Sequence, residues 1–520
     1  MSSAIPSAPR VAADAATPVG GTAIVAFIAG AKLLLHLFTA SRYGGFRDEL
    51  YYVACSEHLG AGYVDHPPLI AFVTWFARHA FGESLFALRL LPAVAGAGLV
   101  WLSGVLAREM GGGKFAQALA ALAVLFVPYY LILQHWMTMN AFEPLIWAAC
   151  AWCVVRAINT ENPRFWFLFG ALAGVGLENK YSIAFFIVGV VAGLIATPAR
   201  RFFGSRWFWL GVISSIAIFV PNLIWLVRHD FPFLELMHNV RMSGRDITRP
   251  PLSFLADQAM VHNPMLSPLW VGGLLWLLAD PRGRRYRVLG ITFVFVFAAL
   301  MLLKGKNYYE SPVYPMLFAA GSVALESITR ERWRPVRWIY ASSTVCFSLL
   351  ILPIVVPILP PSSYVRYQAA LGYPPPQSEH QPNGVLPQYF ADEFGWEEMA
   401  KVTAVAFNGL SPADRAKVVI FANNYGDAAA IDFYGPRLGL PKAVCPHQSY
   451  WLWEPKNASG DVFLVLGSDG AGDREHFATV VPAGRVDPIY SRLDEHFTIW
   501  LCRDLKFDLR QNWAAMKKWN

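Results

Sequence analysis

The chain has 520 residues, of which 55% are hydrophobic and only 15% charged, with a net charge of +7 and a mean hydropathy of +0.38. Soluble domains carry about a quarter charged residues, so an ordinary water-soluble protein is excluded and a polytopic membrane protein is indicated. The excess of Lys and Arg does not call for nucleic acid: no zinc-finger or RNA-binding pattern is present, and the basic residues fall in short loops between apolar stretches, as in cytoplasmic loops of membrane proteins.

In chain order, residues 1–20 are rich in Ala, Pro and Ser and are expected to form a disordered cytoplasmic N-terminus. Eleven apolar stretches follow, most near the ~20 residues a membrane-crossing helix needs: roughly 22–40, 84–106, 115–134, 139–157, 165–180, 182–198, 206–226, 264–279, 287–303, 311–328 and 337–357. The first is too long for a signal-peptide core, and no small-residue cleavage site follows it. With the N-terminus inside, the inward loops hold Arg108 and Lys114; Arg156 and Arg164; Arg200, Arg201 and Arg206; Arg282, Arg284, Arg285 and Arg287; and Arg330, Arg332, Arg334 and Arg337. They obey the positive-inside rule. The first span is the exception, since Arg42 and Arg47 lie on its outer flank. The expected setting is a bacterial inner membrane, with the C-terminal region periplasmic or extracellular.

The unusual polar clusters gather on the outward side. Asp48 and Glu49 follow the first span in Arg47-Asp48-Glu49-Leu50-Tyr51-Tyr52. A helix start explains two acids there; a general base near a low-dielectric surface is the functional alternative. In Asp65-His66-Pro67-Pro68, a capped turn competes with a site in which His66 binds a phosphate or a metal. The prolines lead into an amphipathic segment, 69–81, suited to the membrane surface. His135, Asn140 and Glu143 open the fourth span, as helix contacts or as cavity residues. Glu178-Asn179-Lys180-Tyr181 lies between two spans too close for a loop, where ionisable groups mark functional sites or snorkel to the interface. Arg228 and His229 add to the same face. So do Lys304, Lys306, Tyr308 and Tyr309, whose two lysines run against the positive-inside trend and suit an anion.

Prolines accumulate after the last span, so 358–395 reads as a Pro-rich linker. Residues 396–520 read as a small extracytoplasmic α/β domain, with a helix over 397–410 and strands near 417–422, 461–466 and 496–502. Recognition of the acceptor and packing over the cavity are both open as its role. The six cysteines lack CxxC spacing; Cys445 and Cys502 share this region, where an oxidising compartment would let them pair. Carboxylates beside cations at membrane level suit attack on a sugar carried by a lipid phosphate. No Walker loop, Rossmann glycine pattern or HExxH is present.

The order of motifs resembles glycosyltransferase family 39, the dolichyl-phosphate-mannose protein mannosyltransferases and bacterial aminoarabinose lipid A transferases. The matching features are Asp48-Glu49, Asp65-His66-Pro67-Pro68, Met139-Asn140-Ala-Phe-Glu-Pro-Leu145, Gly176-Leu-Glu-Asn-Lys180-Tyr181, Asn222-Leu-Ile-Trp225 and Lys306-Asn-Tyr-Tyr-Glu-Ser-Pro-Val-Tyr-Pro315, across roughly 20–330. The resemblance implies a GT-C fold of about 11–13 transmembrane helices over 21–357, amphipathic helices in the first outer loop, a polyprenyl-phosphate-sugar donor and inverting transfer. Asp48 would be the catalytic carboxylate and Glu49 its partner. Arg42, Arg47, Asp65, His66, Lys180, Lys304, Lys306, Tyr308 and Tyr309 would lie near the donor phosphate. Tyr51, His135, Asn140, Glu143, Arg228 and His229 would line the acceptor side or the cavity. His66 replaces the more usual Lys, and Asn140 stands where many relatives have Asp. No cofactor is implied for certain, and a divalent metal is left open. The expected partners are the lipid-linked donor, membrane lipids and a lipid, polysaccharide or protein acceptor, with no nucleic acid. A glycan ligase using polyprenyl diphosphate and a flippase of lipid-linked sugars are the alternatives; a flippase predicts mid-membrane polar residues in both halves, whereas here they gather at one face, with Lys32 and His36 as exceptions.

Overall fold

The structure is a computed structural model that describes residues 19–244, 249–330, 333–375, 384–455 and 461–520. The expected disordered segment up to residue 18, Arg332 and part of the Pro-rich linker lie outside them.

Each of the eleven apolar stretches carries helix. α1 (Val19–Thr39) leads to a long loop holding α2 (Arg47–Glu57) and α3 (Leu69–Phe81); then come α4 (Leu85–Glu109), α5 (Lys114–Leu125), α6 (Pro128–Leu133), α7 (Met139–Thr160), α8 (Arg164–Asn179), α9 (Ile183–Ile195) and α10 (Arg206–Arg228). α11 (Pro232–Ser243) and α12 (Pro251–Val261) form the second long outer segment, before α13 (Ser267–Leu278), α14 (Arg287–Leu302), α15 (Tyr314–Ile328) and α16 (Arg334–Val355). Among the described residues, six helices are long and apolar enough to cross a membrane unaided. A bent pair, Ile183–Ile195 with Pro198–Gly204 at 108°, makes a seventh span if counted as one. Two expected spans therefore differ from continuous helices. The stretch 115–134 breaks at Phe126–Val127 because Pro128 has no N–H to continue the ladder, and 182–198 ends at the bend before Pro198. α10 keeps Ile213, Ile216, Ile224 and Val227 exposed, the pattern of a helix whose outer face meets lipid. α3 is amphipathic as read, with Ile70, Ala71 and Ala77 buried and Phe72, Trp75 and Phe76 exposed.

After α16 the chain forms α17 (Pro361–Ala370) inside the expected linker, because Pro361 sits at a first-turn position that needs no N–H donor. α18 (Gln388–Ala391), α19 (Trp396–Asn408) and α20 (Pro412–Arg415) precede β1 (Val419–Ala422) and α21 (Tyr425–Tyr434). β2 (Val462–Leu466), β3 (Phe477–Val486) and β4 (Phe497–Leu505) complete a four-stranded sheet of order β1-β2-β4-β3, with β1–β2 parallel and the other pairs antiparallel. Sequence pattern missed β3 because Pro482 and Gly484 interrupt it. Both are tolerated there because β3 is an edge strand whose register shifts between them.

One apolar core joins the two regions. Leu50 to Cys55 of α2 pack in the same buried cluster as Ala428 to Ile431 of α21 and Ile420 and Leu464 of the sheet. Cys445 and Cys502 are both free and buried in different clusters, so the structure does not pair them.

Candidate active site

Asp48 and Glu49 occupy the first turn of α2, where unpaired backbone N–H groups favour carboxylates. Their side chains go to different places. Glu49 is fully buried. It accepts from the backbone N–H of Phe46 (3.3 Å) and of Met137 (3.0 Å) and pairs with Arg89 at 3.0 Å. Asp48 lines a cavity of about 630 Å³, and its Oδ1 accepts from the Tyr425 hydroxyl at 2.8 Å. Tyr425 comes from α21, so the C-terminal region supplies part of the cavity wall.

The membrane region contributes Arg47, Trp136, Asn140, Lys306 and Tyr308 to the walls, and the outer region contributes Asp392, His447, Arg492 and Asp494. Ile132, Leu133, Ile354 and Val355 form an apolar end between α6 and α16. Arg47 lies over the Tyr425 ring at 4.9 Å. Arg492 pairs with Asp494 (2.9 Å) and Asp392 (3.5 Å). Burial pushes the Asp392 carboxyl up to about 7, although Arg492 and Arg47 pull the other way. Burial also raises Asp65 above the usual carboxylate range. The Tyr51 hydroxyl donates to Asp65 Oδ1 at 2.8 Å, and the Tyr51 and Tyr425 rings are 4.8 Å apart. A tyrosine pair thus ties Asp65 to Asp48.

A second group stands beside the cavity. Lys180 Nζ donates to Asn140 (2.7 Å) and Glu143 (3.0 Å) and lies 4.9 Å over the Tyr309 ring. Glu143 also accepts from the Ser182 hydroxyl. Asn140 connects this group to the cavity wall, and the Glu143 carboxylate beside Lys180 offsets the charge expected to meet the donor phosphate.

Other expected site residues lie elsewhere. His66 is fully buried; its Nδ1 is 2.8 Å from the Pro67 carbonyl, and its ring stacks on Tyr63. It packs the loop and does not line the cavity, so the placement gives no support to phosphate binding there. Arg42 donates to the Ile358 carbonyl and lies over Phe38, tying the first outer loop to the end of α16. His135 is buried 3.0 Å from Arg89. Lys304 and Arg228 are exposed, and His229 stacks on Trp225; none of the three reaches the cavity. Among the described residues, no group of three or more His, Cys, Asp or Glu side chains is arranged to hold a metal.

Sequence reading missed Arg89, Tyr425, Asp392, Glu393, His447, Arg492 and Asp494. Arg89 carried a signal, a lone arginine inside the apolar stretch 84–106. The others carried none, because their contacts cross between the tail and the first loop.

The sequence model of the dolichyl-phosphate-mannose-protein mannosyltransferase family matches residues 65–225. Undecaprenyl phosphate-alpha-4-amino-4-deoxy-L-arabinose arabinosyl transferase 1 of Pseudomonas fluorescens is 23% identical over 337 residues, 61% of this chain and 58% of that protein. The crystal structure of ArnT from Cupriavidus metallidurans bound to undecaprenyl phosphate aligns with TM-score 0.63 and 16% identity, over 92% of this chain and 98% of that one. The archaeal oligosaccharyltransferase AglB from Archaeoglobus fulgidus aligns with TM-score 0.50 and 12% identity, over 86% and 69%. The chain therefore shares the fold of ArnT, resembles the dolichyl-phosphate-mannose-protein mannosyltransferase family over residues 65–225, and aligns with 58% of the length of the arabinosyl transferase.

Proposed function

We propose that this chain moves one sugar from a polyprenyl-phosphate carrier to an acceptor at the outer face of a bacterial inner membrane, with inversion and with Asp48 as the base. The observation that carries the reading is the cavity itself: Asp48, held by the Tyr425 hydroxyl, lines a space walled also by Arg47, Lys306 and Arg492 and by apolar side chains at one end. An isoprenoid chain suits the apolar end and a phosphate suits the cations. The relative of like fold from Cupriavidus metallidurans is described with undecaprenyl phosphate bound, which supports the same carrier class.

Asp48 accepts the proton of the acceptor hydroxyl or amine as that atom bonds to the anomeric carbon. The bond from that carbon to the phosphate oxygen breaks, and polyprenyl phosphate leaves with both electrons toward the cations. A single displacement inverts the anomeric centre. Tyr425 holds the Asp48 carboxylate by one oxygen and leaves the other for the acceptor.

The test is transfer by the purified full chain in lipid, with a panel of labelled polyprenyl-phosphate sugars and an envelope extract, for wild type and Asp48→Asn. Label should reach an acceptor with wild type, and the variant should lose at least about a thousandfold in turnover while still binding donor. Equal transfer by both removes Asp48 from this role. Donor binding without transfer in wild type argues for a flippase.

A further inference from the structure

A cluster of buried polar side chains lies inside the membrane bundle, and none of them lines the cavity. Lys32 and His36 sit one turn apart on α1, and Gln134 and His135 follow α6 at its corner with α7. All four side chains are buried, at 0%, 1%, 1% and 2% exposure. Lys32 Nζ, both His36 nitrogens, both Gln134 amide atoms and His135 Nδ1 have no hydrogen-bond partner. Gly96 of α4 brings them together: a Cβ there would lie 2.7 Å from Gln134 Oε1 and 3.1 Å from Lys32 Cε. The His36 and His135 ring centroids are 6.3 Å apart, so the two rings face the same buried group.

The hydrogen-bond inventory is one-sided. Arg89 Nη1 approaches His135 Nε2 at 3.0 Å. A guanidinium only donates, so that nitrogen accepts and the His135 proton is on Nδ1, the atom left without a partner. Lys32 and the Gln134 amide nitrogen are donors as well. The acceptors facing them are Gln134 Oε1 and one His36 nitrogen. Among the described residues no carboxylate pairs with Lys32 or His36, and Glu49 and Glu393, the acids around His135's neighbour Arg89, are already held by that guanidinium. An unpaired amine and several unmet donors in the bilayer interior each cost kcal/mol. A water brings as many donors as acceptors and leaves the imbalance in place. A small anion brings acceptors only and neutralises Lys32.

We propose that Lys32, His36, Gln134 and His135 form a binding site for a small monovalent anion of the chloride class, buried between α1, α4 and the α6–α7 corner. The site is structural: it supplies the counter-ion of Lys32 beneath the loop that carries Asp48. It rests on nothing in the transfer reaction and is tested without it.

The experiment is thermal unfolding of the full chain in detergent at constant ionic strength, replacing sodium gluconate stepwise with sodium chloride and, separately, sodium bromide. The wild-type midpoint should rise and saturate with either halide. Lys32→Met should lose the halide dependence altogether. Gln134→Leu, which keeps the charge, should raise the half-saturating halide concentration by about tenfold, the loss of one hydrogen bond. Crystals or vitrified samples in bromide should show density at this site. A wild-type midpoint indifferent to halide overturns the site. So does a halide dependence that Lys32→Met retains, which would place the effect elsewhere. Should Lys32→Met fail to fold, an unshifted Gln134→Leu titration overturns the site equally.

Discussion

Asp48 is held from outside the membrane region. Its Oδ1 takes a 2.8 Å hydrogen bond from Tyr425, a residue 377 positions later in the chain. That bond fixes the carboxylate rotamer and its face toward the cavity. A hydrogen bond to a charged group contributes about 1.5–3 kcal/mol, and a barrier change of ~1.4 kcal/mol is tenfold in rate. Tyr425→Phe keeps the ring against Arg47 and Tyr51 and removes only the hydroxyl. It should lower transfer by roughly 10- to 100-fold and leave donor affinity within about twofold. Single-turnover transfer and equilibrium donor binding, measured side by side, separate the two. Unchanged turnover would mean that Asp48 needs no help from the tail.

The short element around α18 matters for a different reason. Glu393, two residues beyond it, packs against α4 and the α6–α7 corner through Arg89 (3.2 Å) and His135 (3.8 Å). One guanidinium there faces two buried carboxylates, Glu49 and Glu393. At Glu393 burial outweighs the pull of Arg89 and pushes the carboxyl up to about 8, as it pushes Asp392 to about 7. Both folded values lie above the usual unfolded range near 4. The folded state therefore keeps protons that the unfolded state has lost, and stability falls as pH rises through that window. The stabilisation is fully present below about pH 4 and gone above about pH 8, at no more than about 1.4 kcal/mol per pH unit for each group. Melting midpoints should fall from pH 5 to 8 in wild type. In Glu393→Gln the fall should be shallower, by no more than about 1.4 kcal/mol per pH unit, while Asp392, Asp427 and Asp432, also raised by burial, keep titrating. A variant curve parallel to wild type would show that Glu393 titrates normally. The same element shows what sequence pattern could reach. The spans, the amphipathic α3 and three of four strands were legible because each is written in local periodicity. Asp48 was legible because an acid beside a bilayer is expensive. Asn140 and Lys180 were legible as separate signals, and their 2.7 Å contact was not. Asp392, Glu393 and Arg492 looked like solvated charges of a linker and a loop, and nothing local marked their burial against a helix more than 300 residues earlier.

At the scale of the whole molecule, the cavity is walled jointly by the helix bundle, the loop after α1 and the C-terminal region. The seam has an apolar part, the core shared by α2 and α21, and a backbone part. The Arg47 N–H donates to the Asp392 carbonyl at 3.0 Å, and Gly44 lies so close to the next peptide that a Cβ would fall 2.0 Å from the Glu393 carbonyl oxygen. Backbone cannot swing aside as a side chain can, so a methyl group at 44 must part the two segments by about an ångström or more, since carbon and oxygen need over 3 Å. That displaces Glu393 from Arg89 and carries Asp392 away from Arg492. Gly44→Ala should therefore destabilise by about 1–3 kcal/mol, the usual range for overpacking, and reduce transfer more than stability alone would at a temperature where the variant is folded. Gly30→Ala is the control. A Cβ there meets nothing within 4 Å, and replacing a helical glycine of α1 should stabilise by roughly 0.5–1 kcal/mol. Melting curves, limited proteolysis of the tail and transfer rates on both variants test the argument together. If Gly44→Ala melts with wild type and its tail resists protease equally, the seam is soft and the outer region does not set the shape of the cavity. If it melts early but transfers normally below its midpoint, the seam supports stability alone, and Tyr425 reaches Asp48 without it.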